Sequence, residues 1–330
     1  VLDFNMGKRM VSTPSNKKTY LWISMIGNVG MLGYFKYCNF FIDNFNALFS
    51  AMGVGASVSN LNIFLPVGIS FYTFQTMSYT IDIYKGELKP RNNFIDYLAF
   101  ISFFPQLVAG PVERAATLLP QMEKDKVFKW DTFCSGMQLA LWGAFKKVWV
   151  ADVVAMYVDR IYLLESPSSA MIWAATLGFT VQILADFSGY TDIARGTARM
   201  LGFELMLNFD HPYLAKNPSD FWRRWHISFS TWIRDYLYIP LGGSRGGEAK
   251  RLKASYGAML ISGLWHGASW SFVLWGAYHA TLLAGYKHIG KHIPRSFRKS
   301  PLVAPFSISL MFLFTVAGWM IFRETSISRI

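Results

Sequence analysis

Long apolar runs separated by short basic stretches set the pattern of this chain. Residues 20–42 form the first run long enough to cross a bilayer, which takes about 20 residues of helix, with Lys36 near one end. A Gly-, Ser- and Asn-rich connector occupies 44–60. A second run, 61–84, is interrupted by Pro66 and Gly68. The next, 94–112, ends in Phe103-Phe104-Pro105-Gln106-Leu107-Val108-Ala109-Gly110-Pro111, whose prolines and glycine predict irregular backbone. Basic residues flank it on both sides (Lys85, Lys89 and Arg91; Arg114, Lys124, Lys126 and Lys129), which predicts a segment that enters and leaves on one face. Irregular backbone at membrane depth is tolerated only when protein or a cavity surrounds it.

Residues 133–164 are apolar apart from Lys146 and Lys147, and 170–185 run up to Asp186. Between 190 and 253 no plain span occurs, and Arg, Trp and Asp abound. The run 256–286 is too long for one upright span and too short for two with a turn. Either its helices tilt or one of them stops inside the protein. A last run covers 302–322.

Composition agrees. Of 330 residues, 52% are hydrophobic, 17% aromatic and 16% charged, against about 25% charged in soluble domains. That excludes a disordered chain and an ordinary soluble enzyme. The expected fold class is an all-α polytopic membrane protein with re-entrant or broken segments and interfacial amphipathic helices. The formal net charge is +12. Because the cations cluster between apolar runs, they fit loops held against the inner leaflet rather than a nucleic-acid surface. Cys38 and Cys134 are too few and too scattered for a disulfide framework or a zinc site. The opening, 1–19, is a polar basic lead without the apolar core of a signal peptide.

Two histidines carry the candidate chemistry. His266 sits in Ser262-Gly263-Leu264-Trp265-His266-Gly267-Ala268-Ser269-Trp270, deep in an apolar run. An ionisable residue there is a functional hypothesis by default, though a core histidine with a satisfied hydrogen bond reads the same. His226 lies in the stretch from Asn217 to Arg234, which predicts a helix with Asn217 as N-cap, Pro218 at the first position and Asp220 reaching back. On that helix Trp222, His226, Phe229 and Ile233 share a face. Arg223, Arg224 and Arg234 then meet headgroups or an anionic substrate, and an interfacial anchor without chemistry fits equally. Asp186 and Asp192 either orient a histidine or pair with Arg195.

Several motifs fail. Gly242-Gly243-Ser244-Arg245-Gly246 lacks the strand–turn–helix setting of a nucleophile elbow. His288 and His292 have the spacing of a zinc pair without its glutamate. No metal site is expected.

Taken together, the Phe103-to-Arg114 segment, Asp186-Phe187-Ser188-Gly189-Tyr190-Thr191-Asp192, the stretch from Trp222 to Gly243, and Gly263-Leu264-Trp265-His266-Gly267-Ala268 resemble the membrane-bound O-acyltransferase (MBOAT) family, most closely its bacterial alginate O-acetyltransferase branch. The resemblance implies one MBOAT-like domain over 1–330, lacking part of each end. Its parts are the lead 1–19, membrane segments 20–190, an interfacial or cytoplasmic His226 region 191–253, and membrane segments 254–330 with His266. It implies transfer of an acyl group, acetyl by expectation, from a thioester to a hydroxyl of a cell-surface polysaccharide or an intermediary. His266 would be the general base and His226 the second catalytic position. Arg223, Arg224, Trp222, Trp265, Trp270 and Asp186 are the candidates for binding donor or substrate. No tightly bound cofactor is expected. Acetyl-CoA, another acyl-CoA or an acyl-carrier thioester serves as donor. The expected partners are the bilayer and an extracytoplasmic esterase-like protein, with no nucleic acid, and the expected place is the bacterial inner membrane, multi-pass. Two alternatives stay open: a polytopic transporter or channel, for which Lys146, Lys147, Asp186 and Asp192 mark a route, and a lipid- or protein-acylating member of the same family.

Overall fold

The computed structural model describes residues 1–55, 57–107, 110–294 and 300–324, which contain helices and connecting turns and no strand. The chain packs as two compact units, residues 1–128 with 201–203, and residues 129–200 with 204–330. Among the described residues, two helices are long and apolar enough to cross a membrane, Ser169–Met200 and Ala304–Arg323.

In the first unit the polar lead is a helix, α1 (Leu2–Ser12), packed on α2 (Lys17–Leu32) and on a later helix, Ile69–Lys85. Phe4, Met6 and Met10 face inward, and one polar residue joins them. Asp3 is buried and accepts from Ser24 Oγ (2.5 Å) and Asn28 Nδ2 (2.8 Å), and Thr76 Oγ1 donates to Asn28 Oδ1 at 2.8 Å. The apolar run 20–42 continues past α2 through a π-turn, Gly33–Tyr37, into α3 (Cys38–Ala51). The run 61–84 becomes helical only from Ile69, as α4 (Ile69–Lys85). Pro66 and the left-handed Gly68 (φ +76°) hold off the start, because proline bars its predecessor from helix. The run 94–112 holds the short α5 (Phe94–Ile101), then turns through 104–107. Val108 and Ala109 of that motif lie outside the described residues. The unit closes with α6 (Ala115–Met122).

The second unit is built on α7 (Trp130–Phe145), a π-turn (Lys146–Ala151) and α8 (Asp152–Tyr162), all packed along α9 (Ser169–Met200). Where α7 crosses α9 the backbones touch through glycine pairs. A methyl group on Gly143 would lie 2.5 Å from the Gly189 carbonyl oxygen, and one on Gly136 would lie 2.7 Å from that of Gly196. Small residues permit such approach where apolar solvent supplies no hydrophobic drive. The intrusive charges of this region explain one another. Lys146 Nζ meets Asp192 Oδ2 (2.5 Å) and Ser188 Oγ (3.0 Å), and Lys147 Nζ meets Asp186 Oδ1 at 2.7 Å.

Two seven-residue helices follow, α10 (Pro218–Arg224) and α11 (Ile227–Ile233), and then a π-turn, Arg234–Tyr238. The run of awkward length, 256–286, resolves into α12 (Glu248–His266) and α13 (Trp270–Ile289). Each recruits polar flanking residues to reach its length, and one ends inside the unit at His266. The last helix, α14 (Ala304–Arg323), packs on α13 and α9.

Candidate functional site

The N-terminus of α10 forms as its sequence predicts. Asn217 caps it, its side chain accepting from the Asp220 N–H at 2.9 Å, and Pro218 follows. Asp220 reaches one residue further back than a capping box does, accepting from the Lys216 N–H at 3.1 Å. Burial raises the Asp220 carboxyl, but the Lys216 N–H, Arg224 and Arg223 outweigh it and hold the group below its ordinary range.

The expected continuous helix through His226 does not form. α10 stops at Arg224, Trp225 is extended, and His226 adopts the left-handed conformation (φ +44°) before α11 begins. A non-glycine residue there carries strain that its surroundings must fix. Here the fixing group is Asn208. Its backbone carbonyl accepts from the Ile227 N–H at 2.9 Å, and the neighbouring Asp210 N–H donates to Arg224 O at 2.9 Å. Its side-chain oxygen meets His226 Nδ1 (3.0 Å), the Ser228 N–H (3.2 Å) and Ser228 Oγ (2.9 Å). The break moves Trp222 off the face it was expected to share with His226.

His226 is fully buried in a ring-lined niche. Phe187 of α9 meets it edge-on at 4.7 Å between centroids, and Phe229 stacks on it at 4.9 Å. Burial, and then the neighbouring His266, hold its imidazole well below the ordinary range, so it is neutral near pH 7. His226 Nε2 has no hydrogen-bond partner among the described residues.

His266 ends α12 because Gly267 is extended and Ser269 caps α13, its side chain accepting from the Ser271 N–H at 3.3 Å. Around it stand Trp265 (5.0 Å), Trp275 (5.1 Å), Phe322 (5.1 Å) and Phe229 (5.8 Å). The two histidines therefore share two walls, since Phe229 and Trp265 both pack on each.

The other sequence candidates divide. Trp222 and Trp265 belong to the ring cluster, Trp222 through Trp275 at 5.7 Å. Trp270 opens α13 and is 53% exposed. Asp186 is engaged by Lys147. Arg224 is turned onto Asp220 Oδ1 (3.1 Å) and the Asp210 carbonyl (3.2 Å), whereas the Arg223 side chain is 72% exposed.

Arg223 also borders a cavity of about 320 Å³ beside the histidine cluster. Arg234, Arg251 and Lys287 line it too, with Trp222, Ile227 and Tyr238, and its lining contains no carboxylate residue. Sequence reading anticipated Arg223 and named Arg234 only in passing. Arg251 and Lys287 gave no signal, because they lie on separate helices, α12 and α13, that only the fold brings together. Asn208 and the buried His279 were likewise passed over. His279 packs between Trp222 (5.1 Å), Trp275 (4.7 Å) and Phe221 (6.0 Å). Among the described residues no group of three or more metal-ligating side chains occurs.

Residues 87–326 match the model of the membrane-bound O-acyltransferase family. The chain is 41% identical over 309 residues to a probable alginate O-acetylase, AlgI, of Pseudomonas syringae pv. tomato, which covers 93% of this chain and 58% of that protein. To the probable alginate O-acetylase of Azotobacter vinelandii it is 40% identical over 329 residues, 99% of this chain and 64% of the relative. A peptidoglycan O-acetyltransferase of Helicobacter pylori is 34% identical over 358 residues, covering 99% of this chain and 66% of its own length. The chain thus spans 58–66% of the length of these relatives.

Proposed function

The chain belongs to the membrane-bound O-acyltransferase family, and from that premise we propose that it moves an acyl group, acetyl in the first instance, from a thioester to a hydroxyl of a cell-surface polysaccharide or of an intermediary protein. The observation that carries this reading is the pair of imidazoles, His226 and His266, set at two helix breaks and sharing the walls Phe229 and Trp265. The names of the relatives, alginate O-acetylase and peptidoglycan O-acetyltransferase, support acetyl as the group and a polysaccharide as the acceptor.

In this mechanism His266 takes the hydroxyl proton as the oxygen attacks the thioester carbonyl. The C–O bond forms, the C–S bond breaks, and the leaving thiolate recovers the proton from the imidazolium. A positioned base contributes roughly 10²–10⁴-fold. His226 orients the acceptor or passes the proton on. The donor, acyl-CoA or an acyl-carrier thioester, carries phosphate, and the cavity that Arg223, Arg234, Arg251 and Lys287 line supplies guanidinium and ammonium groups for it. Arg224, held by Asp220, serves the frame of α10. Trp222 and Trp265 wall the site, Trp270 marks the entrance to α13, and Asp186 acts through Lys147 in the helix packing. The proposed setting is the bacterial inner membrane, multi-pass, with re-entrant segments, and an extracytoplasmic esterase-like partner completing delivery.

Mass spectrometry of surface glycans from cells carrying the full-length protein tests this. Wild type should add acyl esters, and His266→Ala should lose them while inserting normally. Acylation by a well-inserted His266→Ala protein would refute the base assignment.

A further inference from the structure

The hydrogen bonds around Asn208 settle which of its side-chain atoms faces His226. The Ser228 backbone N–H can only donate, so the atom 3.2 Å from it is the amide oxygen. The amide nitrogen is thereby turned toward Thr191 Oγ1 of α9, at 3.4 Å. His226 Nδ1 lies 3.0 Å from that same oxygen, which offers it no proton. Neutral His226 must therefore carry its proton on Nδ1, and its lone pair sits on Nε2. That Nε2 is the buried nitrogen without a hydrogen-bond partner among the described residues. Leaving a buried acceptor unmet costs stability, so the arrangement works against the stability of the fold.

We propose that Asn208 is a positioning residue of the site, its side-chain carbonyl holding His226 as the Nδ1-protonated tautomer so that Nε2 is kept as a proton acceptor. The proposal rests on the acyl-transfer reading and deepens it. His226 becomes a defined acceptor, able to take a hydrogen bond from the acceptor hydroxyl or a proton relayed from His266. The left-handed backbone at His226 belongs to the same device. It turns the ring back toward Asn208, and the Asn208–Ile227 backbone bond clamps the turn. Thr191 ties the other end of the amide to α9, which also presents Phe187 to the ring. The titratable group that meets His226 is His266, and the rings packed on His226 itself, Phe187, Phe209, Phe229 and Trp265, are uncharged.

The test uses the full-length protein, purified in detergent, with acetyl-CoA as donor and a polysaccharide fragment as acceptor. Asn208→Leu removes the acceptor and should lower kcat by roughly 10²-fold, the cost of a misplaced group in the site, with the donor KM unchanged. Asn208→Asp keeps an acceptor oxygen and should retain turnover. Its carboxylate favours the imidazolium, so the acid limb of the rate profile should move up by roughly 1–3 pH units. A residue that served packing alone would lower the yield of folded protein and leave kcat and the pH limb of the survivors untouched. Full kcat in Asn208→Leu, or an unmoved limb in Asn208→Asp, would overturn the proposal.

A second measurement is independent of turnover and of any substitution at Asn208. The ¹⁵N spectrum of histidine-labelled wild type, assigned by loss of a signal in His226→Gln, should show a protonated Nδ1 and a bare Nε2. The opposite tautomer would overturn the proposal outright. If wild type consumes no thioester at all, the acyl-transfer reading fails, and the tautomer measurement still decides the role of Asn208.

Discussion

A single methyl group placed at Gly143, on the helix that does not touch the histidines, should disturb them. Its carbon would lie 2.5 Å from the Gly189 carbonyl oxygen and 2.7 Å from the Ile193 nitrogen. Unbonded heavy atoms rest about 3.5 Å apart, so α7 and α9 must part locally by about 1 Å. Backbone cannot rotate out of the way as a side chain does, and such overpacking costs about 1–3 kcal/mol. The displacement falls on the stretch of α9 that carries Phe187, which packs edge-on against His226, and Thr191, which holds Asn208. A misplacement of about 1 Å remote from the chemistry can cost about 10²-fold in rate. Gly143→Ala should therefore unfold earlier by tryptophan fluorescence in detergent and turn over thioester far more slowly. Gly285→Ala is the control. It lies inside α13, a methyl group there meets no heavy atom within 4 Å, and the same substitution should stabilise by about 0.4–1 kcal/mol. If Gly143→Ala matched wild type in both unfolding and turnover, the backbone-on-backbone crossing, and its link to the site, would be wrong.

Removing two cavity cations together, Arg251→Ala with Lys287→Ala, should raise the donor KM by about tenfold or more, since each lost charge-assisted hydrogen bond is worth about 1.5–3 kcal/mol. Steady-state kinetics should show kcat little changed, and added salt should weaken donor binding in wild type more than in the variant. Because the buried His226 is held below its unfolded value of 6.5, the unfolded chain binds the extra proton. Stability is therefore complete above that value and falls as pH drops below it, by up to about 1.4 kcal/mol per pH unit. His226→Gln should lose this part of the acid sensitivity in thermal unfolding measured from pH 7 to pH 5. In the first unit, Asn28→Ala takes one donor from buried Asp3 and one of two acceptors from Thr76, which keeps the Thr73 carbonyl. A lowered unfolding temperature equivalent to about 1–3 kcal/mol is expected, and an unchanged one would show that the network is dispensable.

What the sequence made legible was local. The cap Asn217-Pro218 with Asp220 two residues on and the interruption at Pro66 follow from groups within a few residues of one another. For 256–286 the sequence left open whether helices tilt or one stops inside the protein, and the stop falls at His266. His226 and His266 stood out because a polar ring in an apolar run needs a reason. The errors were at positions where a distant partner decides. No propensity assigns a left-handed backbone to His226; Asn208, eighteen positions earlier, selects it with hydrogen bonds to His226, Ile227 and Ser228. The lead 1–19 read as a polar basic stretch, and nothing near Asp3 in sequence announces its burial. Its donors, Ser24 and Asn28, come from α2, and Thr80 of α4 meets Ser24 in turn.

The same reasoning explains why the charges of this chain were hard to sort by inspection. Lys146 and Lys147 interrupt one apolar run and Asp186 and Asp192 follow another, and each pair alone looks like a site. Brought together on α7, its π-turn and α9, they neutralise one another at 2.5 and 2.7 Å and hold the crossing that Gly143 and Gly189 make close. A transport route would need such charges open to a passing ion, so their closure on each other weakens the alternative that sequence alone kept alive. The cations of the cavity are paired differently. Arg223, Arg251 and Arg234 have carboxylate partners in Asp220, Glu248 and Asp235, but none of those acids lines the cavity itself. A space lined by four cations and no acid attracts an anion, and Trp222 and Ile227, the latter next in sequence to His226, stand in its wall.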